Sequence, residues 1–284
     1  MLVLVLVLSL LAIAVAAGFV GSLAGLGGGV ILAPVLVVVF NVPFGDAVGA
    51  SAVSVLATAA TSGAAYVHDR LTDLRIGSVL EIATVPGALI GATATVVLSK
   101  TSLVPYMLIL LGVVLVSTVP GSLTMRHEEN PPEVEGDALS KRFHLEGSYY
   151  DLLHEKVVHY RGQNTVRALL VMFAAGIVSG LFGIGSGVLK VLALDRALRL
   201  PMKVATATSN FMIGVTVTAG VGVLLAGGLI LPMLAAPAAV GTAAGAFMGS
   251  RLLPRLSNRR IRWVFTGVLL VLAAEVIVRG ATGL

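Results

Sequence analysis

No charged or amide side chain interrupts the chain from Met1 to Phe40. As a single helix this stretch would run about 60 Å, twice the roughly 30 Å of a bilayer's hydrocarbon core, so it must turn or break midway. Further uncharged runs follow at Ala47 to Val67, Ile82 to Ser99, Thr101 to Met125, Ala168 to Leu189 and Val204 to Ser250, each long enough for one or two crossings. The short apolar/polar alternation of a membrane barrel is absent from them. Met1 to Ala17 lacks the basic start and small-residue cleavage site of a signal peptide, and reads as the first membrane helix.

Glycines divide these runs. Gly18 to Pro43 reads GFVGSLAGLGGGVILAPVLVVVFNVP and Gly176 to Pro201 reads GIVSGLFGIGSGVLKVLALDRALRLP. A shift of 158 places lays Gly18 on Gly176, Gly25 on Gly183, Gly27 on Gly185, Gly29 on Gly187, Pro43 on Pro201 and Ser51 on Ser209. GxxxG spacings recur farther on, at Gly87/Gly91 and Gly241/Gly245/Gly249. This is an internal repeat. Breaking each half at its glycines predicts an all-α polytopic bundle with segments at roughly 1–24, 26–40, 46–67, 78–98 and 103–119, then 167–183, 185–195, 203–226, 229–250 and 261–279. Five segments per half make the second copy inverted, giving repeats at 1–119 and 167–284 joined by a linker at 120–166.

Charge placement orients the bundle. With every segment crossing and the N-terminus outside, 16 of the 19 Lys and Arg fall on the cytoplasmic side: Arg70 and Arg75, those of the linker, and those of the loops at 196–203 and 251–262. Lys100 and Arg279 fall outside, and Lys190 lies within the membrane. Both termini are then external, and a plasma-membrane location is expected. The linker, Arg126 to Arg167, carries six basic and eight acidic residues and the stretch FHLEGSYYDLLHEKVVHY, which predicts a small hairpin or amphipathic element near 143–160, a cap or partner-binding surface set against a plain solvated linker.

Composition supports the same class: 57% of residues are hydrophobic and 12% charged, so the solvent is lipid, and the net charge of +5 reflects topology, not nucleic-acid binding. The absence of cysteine removes disulfides, thiolate metal sites and cysteine catalysis. No cofactor or metal is called for. The expected partners are a small anion, a coupling ion, membrane lipids and, as one option, further copies of the chain.

The glycine pattern GLGGGVILAPVL followed by AVGASAVS, repeated as GIGSGVLKVLAL followed by LPMKVATATSN, resembles the sulfite exporter TauE/SafE family, also grouped as toluene sulfonate uptake permeases. The resemblance covers nearly all of the membrane part. It implies a multi-pass permease for sulfite, sulfoacetate or other organosulfonates, driven by an ion gradient. Ser186 at the place of Gly28, Leu192 at that of Pro34, and Lys190 where an apolar residue is expected are departures, and they weaken the substrate assignment more than the fold.

Candidate site residues follow from the breaks. Gly27, Gly28 and Gly29, with Gly185, Ser186 and Gly187, let backbone N–H groups freed by a helix break approach an anion, and a helix restarting there turns its positive end toward it. Close helix packing is the alternative use of these glycines. Lys190, deep in an apolar run, either meets the anion's charge or snorkels toward the basic loop near Arg196. Ser51 and Ser54 in one half, and Thr206, Thr208, Ser209 and Asn210 in the other, offer hydroxyl and amide donors or interhelical bonds. Glu81, near the start of the 78–98 segment, either carries a coupling proton or favours a helix N-terminus. Glu275 and Arg279 are spaced for a helix-surface pair. Two other functions are open: an anion channel, and an intramembrane enzyme using Ser186 and Lys190 as nucleophile and base.

Overall fold

A computed structural model describes residues 2–24, 27–68, 70–123, 136–151, 155–252 and 258–282. Gly25 and Arg126, named above, lie outside the described residues. The first half holds α1 (Leu2–Ala24), α2 (Gly29–Val38), α3 (Phe44–His68), α4 (Leu74–Leu98) and α5 (Val104–Leu123). After α6 (Ala138–Phe143) and the strands β1 (Glu146–Asp151) and β2 (Lys156–Arg161), the second half holds α7 (Thr165–Phe182), α8 (Gly187–Leu192), α9 (Met202–Ala226), α10 (Pro232–Leu252) and α11 (Asn258–Thr282). A π-turn over Ala193–Ala197 continues α8. The protein is an all-α polytopic membrane protein. By length and composition, α3, α4, α7, α9 and a stretch of α10 are each long and apolar enough to cross a bilayer.

The segments 26–40 and 185–195 depart from the expectation that each crosses fully. The helical part of α2 is ten residues, about 15 Å, half a hydrocarbon core. The chain instead doubles back at the break: a Cβ at Gly21 would stand 2.6 Å from the carbonyl carbon of Gly27, and one at Gly28 3.2 Å from Ala17. So α1–α2 and α7–α8 are helical hairpins with glycine tips, and the short arm returns against the long one.

Close packing around glycine sets the helix directions. A Cβ at Gly87 would lie 2.4 Å from the Phe173 carbonyl oxygen and one at Gly91 2.2 Å from that of Ile177, so α4 and α7 run parallel with backbones touching. Gly245 meets Val15 and Gly249 meets Phe19 and Ser22, which makes α10 parallel to α1. In contrast α3 crosses α9 antiparallel, Ala59 beside Gly214 and Ser62 bonded to Asn210, and α5 runs antiparallel to α11, Gly112 against Ile277 and Gly280 against Pro105. The pattern survives exchange of the halves: α1 packs on α10 as α7 packs on α4, α3 on α10 as α9 on α4, and α2 on α11 as α8 on α5. GxxxG glycines thus serve backbone approach, worth more in lipid than apolar bulk because lipid tails already satisfy apolar side chains.

Caps fix the ends. Asp73 accepts from Ile76 N at 2.9 Å to start α4, earlier than the expected 78. Arg279 pairs with Glu275 at 3.9 Å, and its guanidinium also donates to the carbonyls of Val37 and Val38 at 2.9 and 2.8 Å, closing the carboxyl end of α2 from α11. On the other face, Leu145, Tyr149, Val158 and Tyr160 of the β-hairpin join Ile76, Leu80, Ala193, Leu198 and Met212 in one apolar cluster. The two strands pair antiparallel, Glu146 opposite Arg161.

Candidate functional site

The two hairpin tips meet in the middle of the protein. Gly27 and Gly185 both have φ of +72°, a conformation glycine adopts without strain, and both face the same two side chains. A Cβ at Gly27 would stand 3.1 Å from Val55 and 3.8 Å from Ile213; one at Gly185 would stand 2.8 Å from Val55 and 3.0 Å from Ile213. Val55 and Ile213, fully buried on α3 and α9, fill the space between the tips. Ser51 ties the tips together: its hydroxyl lies 2.9 Å from the Gly183 carbonyl and 3.3 Å from that of Gly29, one from each half. Ser209 repeats this on the other side, donating to the Gly187 carbonyl at 3.4 Å. The opening amides of α2 and of α8 have no acceptor within their own helices, and their dipoles present the positive end at the tip.

Beside the second tip lies a cluster that spacing alone did not bring together. Lys190 does not snorkel. It is 0% exposed, its Nζ donates to the Thr216 hydroxyl and sits 3.5 Å from Glu81 Oε1. Glu81 is not at a helix start either; α4 begins seven residues earlier, and the carboxylate is 6% exposed with both oxygens within 2.9 Å of Thr216 Oγ1. Thr216 is also 2.8 Å from its own helix's Met212 carbonyl. α4, α8 and α9 each supply one member, so a carboxylate, a hydroxyl and an ammonium form a buried chain across the two halves. The sequence held one signal for Thr216: under the repeat's shift it falls on Thr58, just as Ile213 falls on Val55. Nothing local ties Glu81 to Lys190, which are 109 residues apart.

The remaining candidates, Ser186 apart, are engaged elsewhere. Ser54 donates to Ala50 within its helix at 2.9 Å. Thr208 accepts from the Asp73 amide at 3.0 Å and so positions the start of α4. Asn210 joins α3 to α9, accepting from Ser62 at 3.3 Å and donating to Thr206 O at 3.2 Å. Ser186 is 4% exposed with φ of +45°, and its hydroxyl has no hydrogen-bond partner among the described residues, Lys190 included. A nucleophile and base in mutual contact is therefore not what the structure holds there.

At the opposite end of the cluster the hairpin is bolted to the bundle. Tyr160 donates to Asp73 Oδ2 at 2.9 Å, and burial, with the Asp73 carboxylate beside it, pushes the phenol above its ordinary value. Asp137 accepts from Ser140 N at 2.8 Å, from Thr165 N at 2.6 Å and from the Thr165 hydroxyl at 2.8 Å, capping α6 and α7 together. Partial burial raises its carboxyl, but those hydrogen bonds outweigh it and hold the group below the usual aspartate value.

Comparison with known proteins agrees with this architecture. The chain is 27% identical over 272 residues to the "Probable membrane transporter protein YunE" of Bacillus subtilis (strain 168), an alignment that takes in 93% of this chain and 94% of that one. No solved structure matches it. The family model for the sulfite exporter TauE/SafE matches residues 10–276, end to end across both hairpins, and the chain belongs to that family of membrane transporters.

Proposed function

We propose that the protein carries a small anion, sulfite or an organosulfonate, across the plasma membrane by alternating access, with the anion held between the two hairpin tips. The observation that carries this reading is the meeting of the tips: Gly27 and Gly185 both face Val55 and Ile213, and Ser51 bonds a carbonyl of each break. An anion can be bound there by N–H groups and helix dipoles with little fixed charge. Val55 and Ile213 stand where such a ligand would sit, so the tips must part to admit it. That requirement favours a carrier that closes around its load over a standing pore.

The two halves, 1–119 and 167–284, act as inverted repeats in this reading, supported by the antiparallel courses of α3 with α9 and of α5 with α11. The termini lie outside, and the linker with its hairpin lies in the cytoplasm, supported by the concentration of Lys and Arg on that side. Purified protein should gain thermal stability from sulfite, thiosulfate or sulfoacetate but not from chloride, since a ligand of the native state raises its stability by mass action. In proteoliposomes the same anions should show saturable flux that Gly185→Val abolishes. Flux that rises linearly with concentration, as ohmic current, would replace the carrier by a channel.

A further inference from the structure

Glu81, Thr216 and Lys190 have counterparts in the other half. Under the repeat's shift they fall on Ala239, Thr58 and Leu32. The backbone surroundings match: Thr84 opposes Gly176 as Thr242 opposes Gly18, and Thr58 bonds to Ser54 O at 2.9 Å as Thr216 bonds to Met212 O at 2.8 Å. The fold therefore has an apolar solution for this very place, Leu and Ala around a threonine, and uses it once. A buried ion pair rarely stabilises more than well-packed apolar residues of similar volume, and a charge inside a membrane is costly. The charged version has a task other than holding helices together.

We propose that this cluster couples the anion to a proton: the transported anion takes the place of the Glu81 carboxylate on the Lys190 ammonium, and Glu81 takes up a proton as it leaves. The inference rests on the anion-transport reading of the tips and names its coupling ion. Lys190 lies on α8 three residues beyond Gly187, and its partner Thr216 stands one turn along α9 from Ile213, which faces both tips, so an anion on its ammonium is near the second tip. Charge balances in both states. Empty, ionised Glu81 and Lys190 sum to zero; loaded with a monovalent anion, Lys190 and the anion sum to zero and Glu81 is a neutral acid. The mixed state, anion present and Glu81 still ionised, buries an uncompensated charge and is disfavoured.

Thr216 serves both states. When Glu81 is ionised, the hydroxyl accepts from Lys190 and can donate to the carboxylate. When Glu81 is protonated, its O–H donates to Thr216 Oγ1, and the threonine proton turns to the Met212 carbonyl 2.8 Å away. The proton comes from water on the side to which the tips open and returns to water on the other. Around Glu81, Lys190 is the one ion-paired partner among the described residues. The other charges on elements packed there stand at their ends: Arg75 is the second residue of α4, Arg167 the third of α7, Lys203 the second of α9, and Asp195 and Arg196 lie in the π-turn.

The test uses full-length protein in proteoliposomes with radiolabelled sulfite and methanesulfonate, at imposed pH gradients and with the membrane potential clamped by valinomycin and potassium. Wild type is expected to accumulate methanesulfonate about tenfold for each unit of pH difference, one proton per monovalent anion, and to ignore the clamped potential. Glu81→Gln, which mimics the protonated acid, is expected to lose that accumulation, its uptake becoming flat across pH gradients. Lys190→Gln is expected to lose the thermal stabilisation given by the anion. Should either variant fail to purify as a monodisperse species, the neutral pair Glu81→Gln with Lys190→Met gives the decisive reading, because it leaves no charge stranded. Accumulation that follows the pH gradient in Glu81→Gln or in the neutral pair, or a potential-driven methanesulfonate current in wild type, would overturn the coupling role and leave the transport reading standing. Wild type that moves neither anion would overturn both.

Discussion

The two hairpins share a backbone and differ in chemistry. In α1–α2 the tip is lined by Gly21 and Gly28, and the return arm carries Leu32, fully buried. At the equivalent places α7–α8 carries Ser179, Ser186 and Lys190, all buried, and neither serine hydroxyl has a hydrogen-bond partner among the described residues. Symmetry of fold has been kept while polarity has been concentrated on one side. In the proposed coupling, this difference is what lets the second tip register a proton as well as an anion.

The comparison breaks most sharply at the ion pair. Lys190→Leu, which writes the first half's residue into the second, strands Glu81 and should cost about 3–5 kcal/mol of stability in denaturant titrations. Adding Glu81→Ala copies the first half fully and should recover most of that loss while transport stays absent. If the double variant is no more stable than the single, the pair is not the source of the cost.

Next in size are the tips. Gly183 has φ of +61°, and a Cβ there would stand 2.3 Å from the Val48 carbonyl oxygen, so Gly183→Ala should lose about 1–3 kcal/mol. Gly63, inside α3 with nothing within 4 Å of its would-be Cβ, is the control: Gly63→Ala should gain about 0.5–1 kcal/mol from helix propensity. Equal effects at the two positions would mean that the tip geometry carries no special constraint. Ser51→Ala, which cuts the bond between the halves, should cost about 1 kcal/mol and loosen the tips, read as faster amide exchange at Gly183 to Gly187.

The smallest effect concerns the linker's cap. Asp137 is held below the usual aspartate value, so its contribution to stability is complete above about pH 4 and is lost as pH falls through its lowered value in the folded protein. Asp137→Asn should erase this acid dependence and leave neutral-pH stability lower by about 1 kcal/mol. A wild-type melting curve that does not change below pH 4 would contradict it.

Much of the fold could be read from residue order. The repeat's shift located both breaks, because only glycine supplies φ near +70° at Gly27 and Gly185, and the GxxxG pairs marked the parallel contacts of α1 with α10 and α4 with α7. Helix starts were less legible: capped by Asp73, α4 begins at Leu74, four residues before the expected 78, since a cap is read locally and the apolar run was read from its centre. The first return arm was overestimated because hydropathy counts residues, and Val39 and Phe40 are apolar without continuing α2. Of the site, the tip glycines, Ser51 and Ser209 were legible. The Glu81–Lys190 pair was not, since a pairing across 109 residues is settled by how α4, α8 and α9 pack, and each charge alone had a plain local explanation.

The absence of cysteine allows the central claim to be tested directly. A single Val55→Cys, placed where both tips converge, would be titrated with a membrane-impermeant thiol reagent from each side of oriented vesicles, with and without sulfite. Two hairpins that part around an anion predict labelling from both sides, with sulfite slowing it on each and shifting the ratio between them. A residue that never reacts from either side, or reacts equally from both whether or not sulfite is present, would contradict it.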